Sequence, residues 1–322
     1  MNTSALPPPR WLDQPAHQGL LLGLLGVTIF ALTLPMTRLA VGTVDAPQMS
    51  GVFIALGRAV VAALLSIAFL LATRAPLPRR EDLLPLAITA GGVVFGFPLF
   101  TSVAMRYVEA VHASVIVGVL PLATAAVGAL LHRQRPSAGF WVCAALGSAL
   151  VVGFAVLRSG SAGLNIHPAD ALLLAAMLCA AVGYGFGARL SQHMRAEHVI
   201  CWALVIALPL TLPIAVMTRP QAALQASAWW GFAYTAVFSM WLGFFAWYRG
   251  LALGGTVRVS QVQLVQPFLG MLFAVPLLGE RLDALTLGFA AAVIATVFIG
   301  KKMPVHATTT RTDLNGIERR TP

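Results

Sequence analysis

Charge is scarce in this sequence. Only 10% of its 322 residues are charged, while 58% are hydrophobic; soluble domains carry about 25% charged residues. No globular core needs that much apolar sequence, so the composition predicts an integral membrane protein. Acidic residues are scarcer still. All 11 of them, Asp170 and Glu280 included, fall in tails, loops or the ends of apolar runs. Cysteine is nearly absent, and Cys143, Cys179 and Cys201 each sit in an apolar run. They read as buried thiols and give no disulfide framework or metal cluster. HExxH, GxSxG, the GxxxxGK[ST] loop and an intramembrane aspartate pair are missing too, which argues against an intramembrane protease and an ATP-driven pump. No catalytic residue, cofactor or metal is expected.

What the chain has instead is long apolar runs. Ten are readable, at 19–41, 48–72, 83–105, 109–131, 138–157, 168–190, 198–217, 227–248, 256–278 and 283–300. A bilayer takes about 20 helical residues. Strand-like alternation is absent, and the runs exceed the roughly 10 residues of a barrel strand. The fold class expected is therefore an all-α integral membrane protein of ten helices. The N-terminal tail, 1–18, is polar and proline-rich without the basic region or cleavage site of a signal peptide, so the first span is expected to be retained. The tail at 301–322 is polar and reads as disordered.

The stretch WYRGLALGGTVRVSQVQLVQPFLGMLFAVPLLGER (247–281) has a paler copy at 104–135. A shift of 146 residues puts Pro121 on Pro267, Ser114 on Ser260, Val117 on Gln263 and Arg135 on Arg281. TLPMTRLA (33–40) resembles YGFGARLS (184–191), with Arg38 on Arg189. The chain thus reads as two tandem five-span copies, 19–157 and 168–300. Fifteen of the 21 basic residues fall on the side of the two termini. Arg38, Arg106, Arg158, Arg219 and Arg281 fall on the other side, and Arg58 lies inside a span. The asymmetry predicts cytoplasmic termini. Because the basic residues are spread over short loops, nucleic-acid binding is not expected. Five spans per copy is odd, so the second copy enters the membrane upside down, the inverted-repeat plan of many alternating-access transporters.

Ten spans in two copies, with Pro267 and the exit Gly279-Glu280-Arg281, resemble the EamA-type branch of the drug/metabolite transporter superfamily. Arg58 in FIALGRAVVAALL matches an arginine common in that family's second helix. The first copy departs from the pattern, with Gln134 where Glu280 would fall. Within the family the chain looks most like the YddG-type amino-acid exporters. The resemblance implies a central cavity walled mainly by helices 1, 3, 4, 6, 8 and 9.

The candidate residues follow. Ser260, Gln263 and Gln266 recur at spacing three, on one helical stripe, and Pro267 removes a backbone donor. Such a stripe in mid-membrane faces helices or a cavity rather than lipid. Two amides one turn apart can hydrogen-bond a zwitterion's amino and carboxylate groups; the alternative is structural bonding between helices. Ser114 is the first-copy counterpart of Ser260. Trp241 and Tyr184, with Phe97 on helix 3, can stack on an apolar or aromatic side chain. Trp229, Trp230, Trp247 and Tyr248 are expected as interface anchors. Arg58, costing about 2.5–3.5 kcal/mol in mid-span, is a candidate for gating or an anchor on helix-end carbonyls. His112 is a candidate proton carrier, or a neutral hydrogen-bonded histidine.

Together these readings point to a multi-pass transporter of the inner (plasma) membrane that exports amino acids or similar small metabolites. Its partners are a small-molecule substrate and the lipid bilayer, and it is expected as a monomer or weak homo-oligomer. A lipid-linked head-group flippase, a membrane enzyme and a passive channel are the alternatives.

Overall fold

The structure, a computed structural model, describes residues 15–131, 134–158, 168–254, 259–303 and 305–307. It is helical apart from one small ribbon. Among the described residues seven helical stretches are long and apolar enough to cross a bilayer: His17–Val41, Gly51–Ala72, Arg80–Ala104, Ala110–Gly128, Pro168–Leu190, Ala196–Met217 and Ala226–Gly254. Val262–Leu278 and Ala284–Thr296 are shorter apolar helices where the ninth and tenth spans were expected. The expected fifth span coincides with a helix at Ala138–Arg158.

The spans are not uniform helices. The first is α1 (Pro15–Ala31) and α2 (Thr33–Val41), broken at Leu32. The second, α3 (Gly51–Ala72), starts where Ser50 accepts from Phe53 N at 3.1 Å, satisfying one free N–H of the first turn. The third is α4 (Arg80–Ala90), a wide π turn over Gly91–Gly96 and α5 (Phe97–Ala104). Pro98 has no N–H for the carbonyl four residues back, which favours opening of the helix there. The fourth breaks between α6 (Ala110–Val117) and α7 (Leu120–Leu131). After α8 (Ala138–Arg158), α9 (Pro168–Leu190) and α10 (Ala196–Met217), the eighth repeats the third's irregularity. There α11 (Ala226–Tyr234) and α12 (Gly243–Gly254) flank a second π turn at Thr235–Leu242. The ninth runs as a 3₁₀ segment, Ser260–Val265, into α13 (Gln266–Leu278), and the last is α14 (Ala284–Lys302). Gly279 ends α13 in the left-handed conformation, φ 68°, which glycine adopts freely.

Pairing of these helices places the core. α1 lies against α12, α3 against α10, α8 against α14, and α5 and α7 against α9. The α1–α12 seam is tight enough to require glycine. A Cβ on Gly250 would sit 2.7 Å from Gly23 N and 2.9 Å from Gly19 O, which lets the two backbones pack directly.

The tails depart from expectation at their inner edges. α1 begins at Pro15, before residue 19. Val305–Ala307 pairs antiparallel with Gln134–Pro136, Arg135 opposite His306, because backbone pairing gives that polar segment a partner for its N–H and C=O groups. Residues 1–14 and 308–322, the remainder of the two expected tails, lie outside the described residues.

Candidate functional site

The amide stripe sits on the 3₁₀ segment. With three residues per turn, such a helix eclipses side chains at spacing three, so positions 260, 263 and 266 line up more closely than α geometry would allow. Ser260 opens the segment, and its side chain lies outside the described residues. Gln263 and Gln266 are both buried, and the Oε1 of each has no hydrogen-bond partner among the described residues. The 3₁₀ segment packs against α1, α7 and α14. The pair therefore points its acceptors into the bundle, not at lipid. Ser114 is buried too, but its hydroxyl donates to Ala110 O at 2.8 Å, and it lies against Gly270 of α13. It stands at the packing contact of α6 with α13.

The aromatic candidates separate. Tyr184 joins Phe30, Phe244 and Trp247, with its ring centroid 5.5 Å from that of Trp247 and 6.1 Å from that of Phe244. Tyr248 donates its hydroxyl to Gly183 O at 3.2 Å. This cluster closes α1, α9 and α12 on one another. Trp241 instead stands with Phe69 of α3 at 6.2 Å and Phe245 at 5.0 Å. Phe97, just past the first π turn, is half-buried against the core. Trp229 and Trp230 are exposed, whereas Trp247 and Tyr248 are 0% exposed and do not serve as the interface anchors expected of them. Reading them as span ends missed that the eighth helix continues to Gly254, which leaves both rings inside the bundle.

Three acidic residues do more than their span-end positions suggested. Asp170, in the first turn of α9, is buried, and its Oδ1 lies 2.7 Å from His112 Nε2. Phe154 of α8 covers the His112 ring at 5.0 Å. Asp82 is likewise buried, 2.8 Å from His193. A second histidine, His198, is buried as well, against Phe69. Position along an apolar run reports depth in the bilayer, and burial by neighbouring helices is a separate quantity.

Glu280 is the third. Its two carboxylate oxygens accept from Ala110 N at 2.8 Å and Val111 N at 2.7 Å, capping the free N–H groups of α6. Arg38 donates to Met105 O, and Arg106 to Met49 O at 2.7 Å. These bonds tie α2, α5, α6 and α13 together at the end expected to face outward. Burial and the neighbouring Glu109 push the Glu280 carboxyl above the usual range, against the pull of the two N–H donors and Arg38. A cleft of about 770 Å³ opens there, lined by Arg38, Glu109, Gln225, Glu280 and Arg281 among others and not by the buried amides.

The profile of the EamA-like transporter family matches the chain twice, over residues 17–156 and 167–300. The chain belongs to the EamA-like transporter family. It is 41% identical over 286 residues to a protein of Bacillus subtilis (strain 168) called uncharacterized transporter YdeK, covering 88% of this chain and 97% of that one. A protein of known crystal structure shares the fold with a TM-score of 0.62 at 16% identity, over 88% of this chain and 98% of the other. As an EamA-like protein the chain is a multi-span membrane transporter, embedded in a bilayer and acting on a small molecule. Among the described residues no cluster of three or more His, Cys, Asp or Glu could hold a metal ion.

Proposed function

We propose that this EamA-like transporter exports amino acids, aromatic or other apolar ones among them, or similar small metabolites, across the inner membrane with both termini in the cytoplasm. The carrying observation is the pair of buried amides, Gln263 and Gln266, whose Oε1 atoms lack partners. Unsatisfied buried acceptors are costly, and an ammonium group that arrives and leaves gives them a reason to exist. Tyr184 supplies apolar wall.

The mechanism proposed is alternating access between two oppositely inserted five-helix halves of a ten-helix bundle. Support comes from the doubled family match and from irregularities that recur across the two matches. The π turns begin at Gly91 and Thr235, and α7 and α13 begin at Leu120 and Gln266, each beside a proline. Transporter sites of this plan lie at the repeat interface, near broken helices.

Reconstitution into proteoliposomes loaded with a labelled apolar amino acid tests the reading. Saturable counterflow, competed by unlabelled amino acids, is expected. Flux that rises without saturation indicates a channel instead. Movement of fluorescent lipid head groups without amino-acid exchange indicates a flippase.

A further inference from the structure

Arg58 is a buried charge for which two of the three guanidinium nitrogens have no partner among the described residues. Its side chain is 1% exposed, and Nε and Nη1 meet no acceptor. Four carboxylates at span ends are engaged elsewhere: Asp82 with His193, Asp170 with His112, Glu197 with Arg249, and Glu280 with the α6 backbone. The expected anchoring on helix-end carbonyls is not observed for those two nitrogens. An unpaired guanidinium inside a membrane protein is costly to keep.

Packing fixes where Arg58 stands. A Cβ on Gly51 would lie 2.9 Å from the Ser102 carbonyl, so that face of α3 meets α5. Ala55 belongs to a small cluster against which Phe95 and Leu99 pack. Gly51, Ala55 and Arg58 follow at spacings of four and three, one stripe of α3. The numbers rise along α3 as they fall along α5, so Arg58 comes level with Phe95, inside the first π turn. The second π turn also packs on α3. Ser102 Oγ, on the same seam, is buried without a partner as well. Wide turns of this kind recur at functional sites because they open a helix locally.

We infer that Arg58 binds the carboxylate of the transported solute, in a hollow shaped by the first π turn. This rests on the amino-acid reading above and gives it a polarity. The acid end meets a guanidinium whose planar fork suits carboxylates, while the amine meets the amides of the ninth span.

The test needs no transport. Unfolding temperature of the purified full-length protein in detergent is followed while titrating acetate, 4-methylpentanoate or 3-phenylpropanoate. The matching amides serve as controls, at ionic strength held constant with sodium chloride. At least one carboxylate is expected to stabilise wild type saturably, with its amide inert. Arg58→Gln is expected to weaken the apparent affinity at least about tenfold, and Arg58→Lys less. Equal stabilisation of wild type and Arg58→Gln, no saturable effect of any of the three carboxylates on wild type, or an equal effect of phosphate would each overturn the inference. Should Arg58→Gln not fold, the acid-against-amide comparison on wild type and Arg58→Lys decides it. The amino-acid reading fails separately, through absent counterflow in proteoliposomes.

Discussion

His112 Nε2 lies 2.7 Å from Asp170 Oδ1 with both side chains buried, an acid and a base joining α6 to α9 across 58 residues of sequence. Removing one partner leaves the other buried and uncompensated, which typically costs about 3–5 kcal/mol. His112→Ala and Asp170→Ala are each expected to lower the unfolding temperature sharply. The double variant should lose clearly less than the sum of the two, because the pair is coupled. Additive losses would show that the two groups act independently.

The same pair bears on energy coupling. If transport is linked to protons through His112, uptake into proteoliposomes should respond to a pH gradient in the wild type. It should lose that response in Asp170→Asn, which keeps a polar group of similar shape. Strong gradient dependence that persists in His112→Ala would remove the pair from coupling and leave the substrate's own charge to account for it.

Glu280 gives a pH prediction of definite sign. Its carboxyl is held above the ordinary value of 4.5, burial being the largest cause. A raised acid contributes stability that is fully present below the unfolded value and is lost as pH rises through the folded one. The stability of wild type relative to Glu280→Gln should therefore increase as pH falls from neutral toward 4.5. Thermal unfolding across that range checks it, and a difference that shrinks on acidification would contradict the burial of this carboxylate.

Gln263→Ala should fold and express, since its Oε1 bonds to nothing among the described residues. Transport should fall about tenfold or more in kcat/KM if the amide meets substrate. Wild-type kinetics would take Gln263 out of the site. Gln266→Ala is expected to act in the same direction.

Two glycines make a stability contrast. Gly250→Ala drives a methyl into the backbone of α1 and should cost about 1–3 kcal/mol or block folding. Gly288→Ala meets nothing within 4 Å on α14 and should gain about 0.5–1 kcal/mol from helix propensity. Fluorescence-detected size exclusion after heating ranks the two.

The spans and the doubled pattern were legible because apolar length and the Pro121–Pro267 alignment are local signals. The amide stripe was legible for the same reason, since spacing three survives in either helix type. What sequence did not disclose depends on neighbours. Asp170 is the span end it read as, but only the packing of α6 sets His112 against it. Trp241 and Tyr184 read as one wall, but Trp241 of the eighth helix packs on Phe69 and Phe245 while Tyr184 of α9 packs on Phe244 and Trp247. Glu280 belonged to a recognisable exit, but its hold on α6 joins residues 170 apart, and no periodicity records such a bond.

The π turns carry a consequence for how this chain tolerates change. An α-helix advances about 100° per residue, and a π turn absorbs one residue out of phase. A deletion inside Thr235–Leu242 removes the turn's extra residue and keeps the phase. Deleting a single residue of α12 ahead of Trp247, by contrast, would rotate everything beyond it by that angle. Trp247 and Tyr248 would leave Tyr184 and Gly183, and Gly250 would swing away from Gly23. The third helix stores a matching phase at Gly91–Gly96, ahead of Phe97. Chain length in the α-helical parts of these two spans is therefore as tightly constrained as side-chain identity, and single-residue deletions there should prove more damaging than deletions inside the π turns.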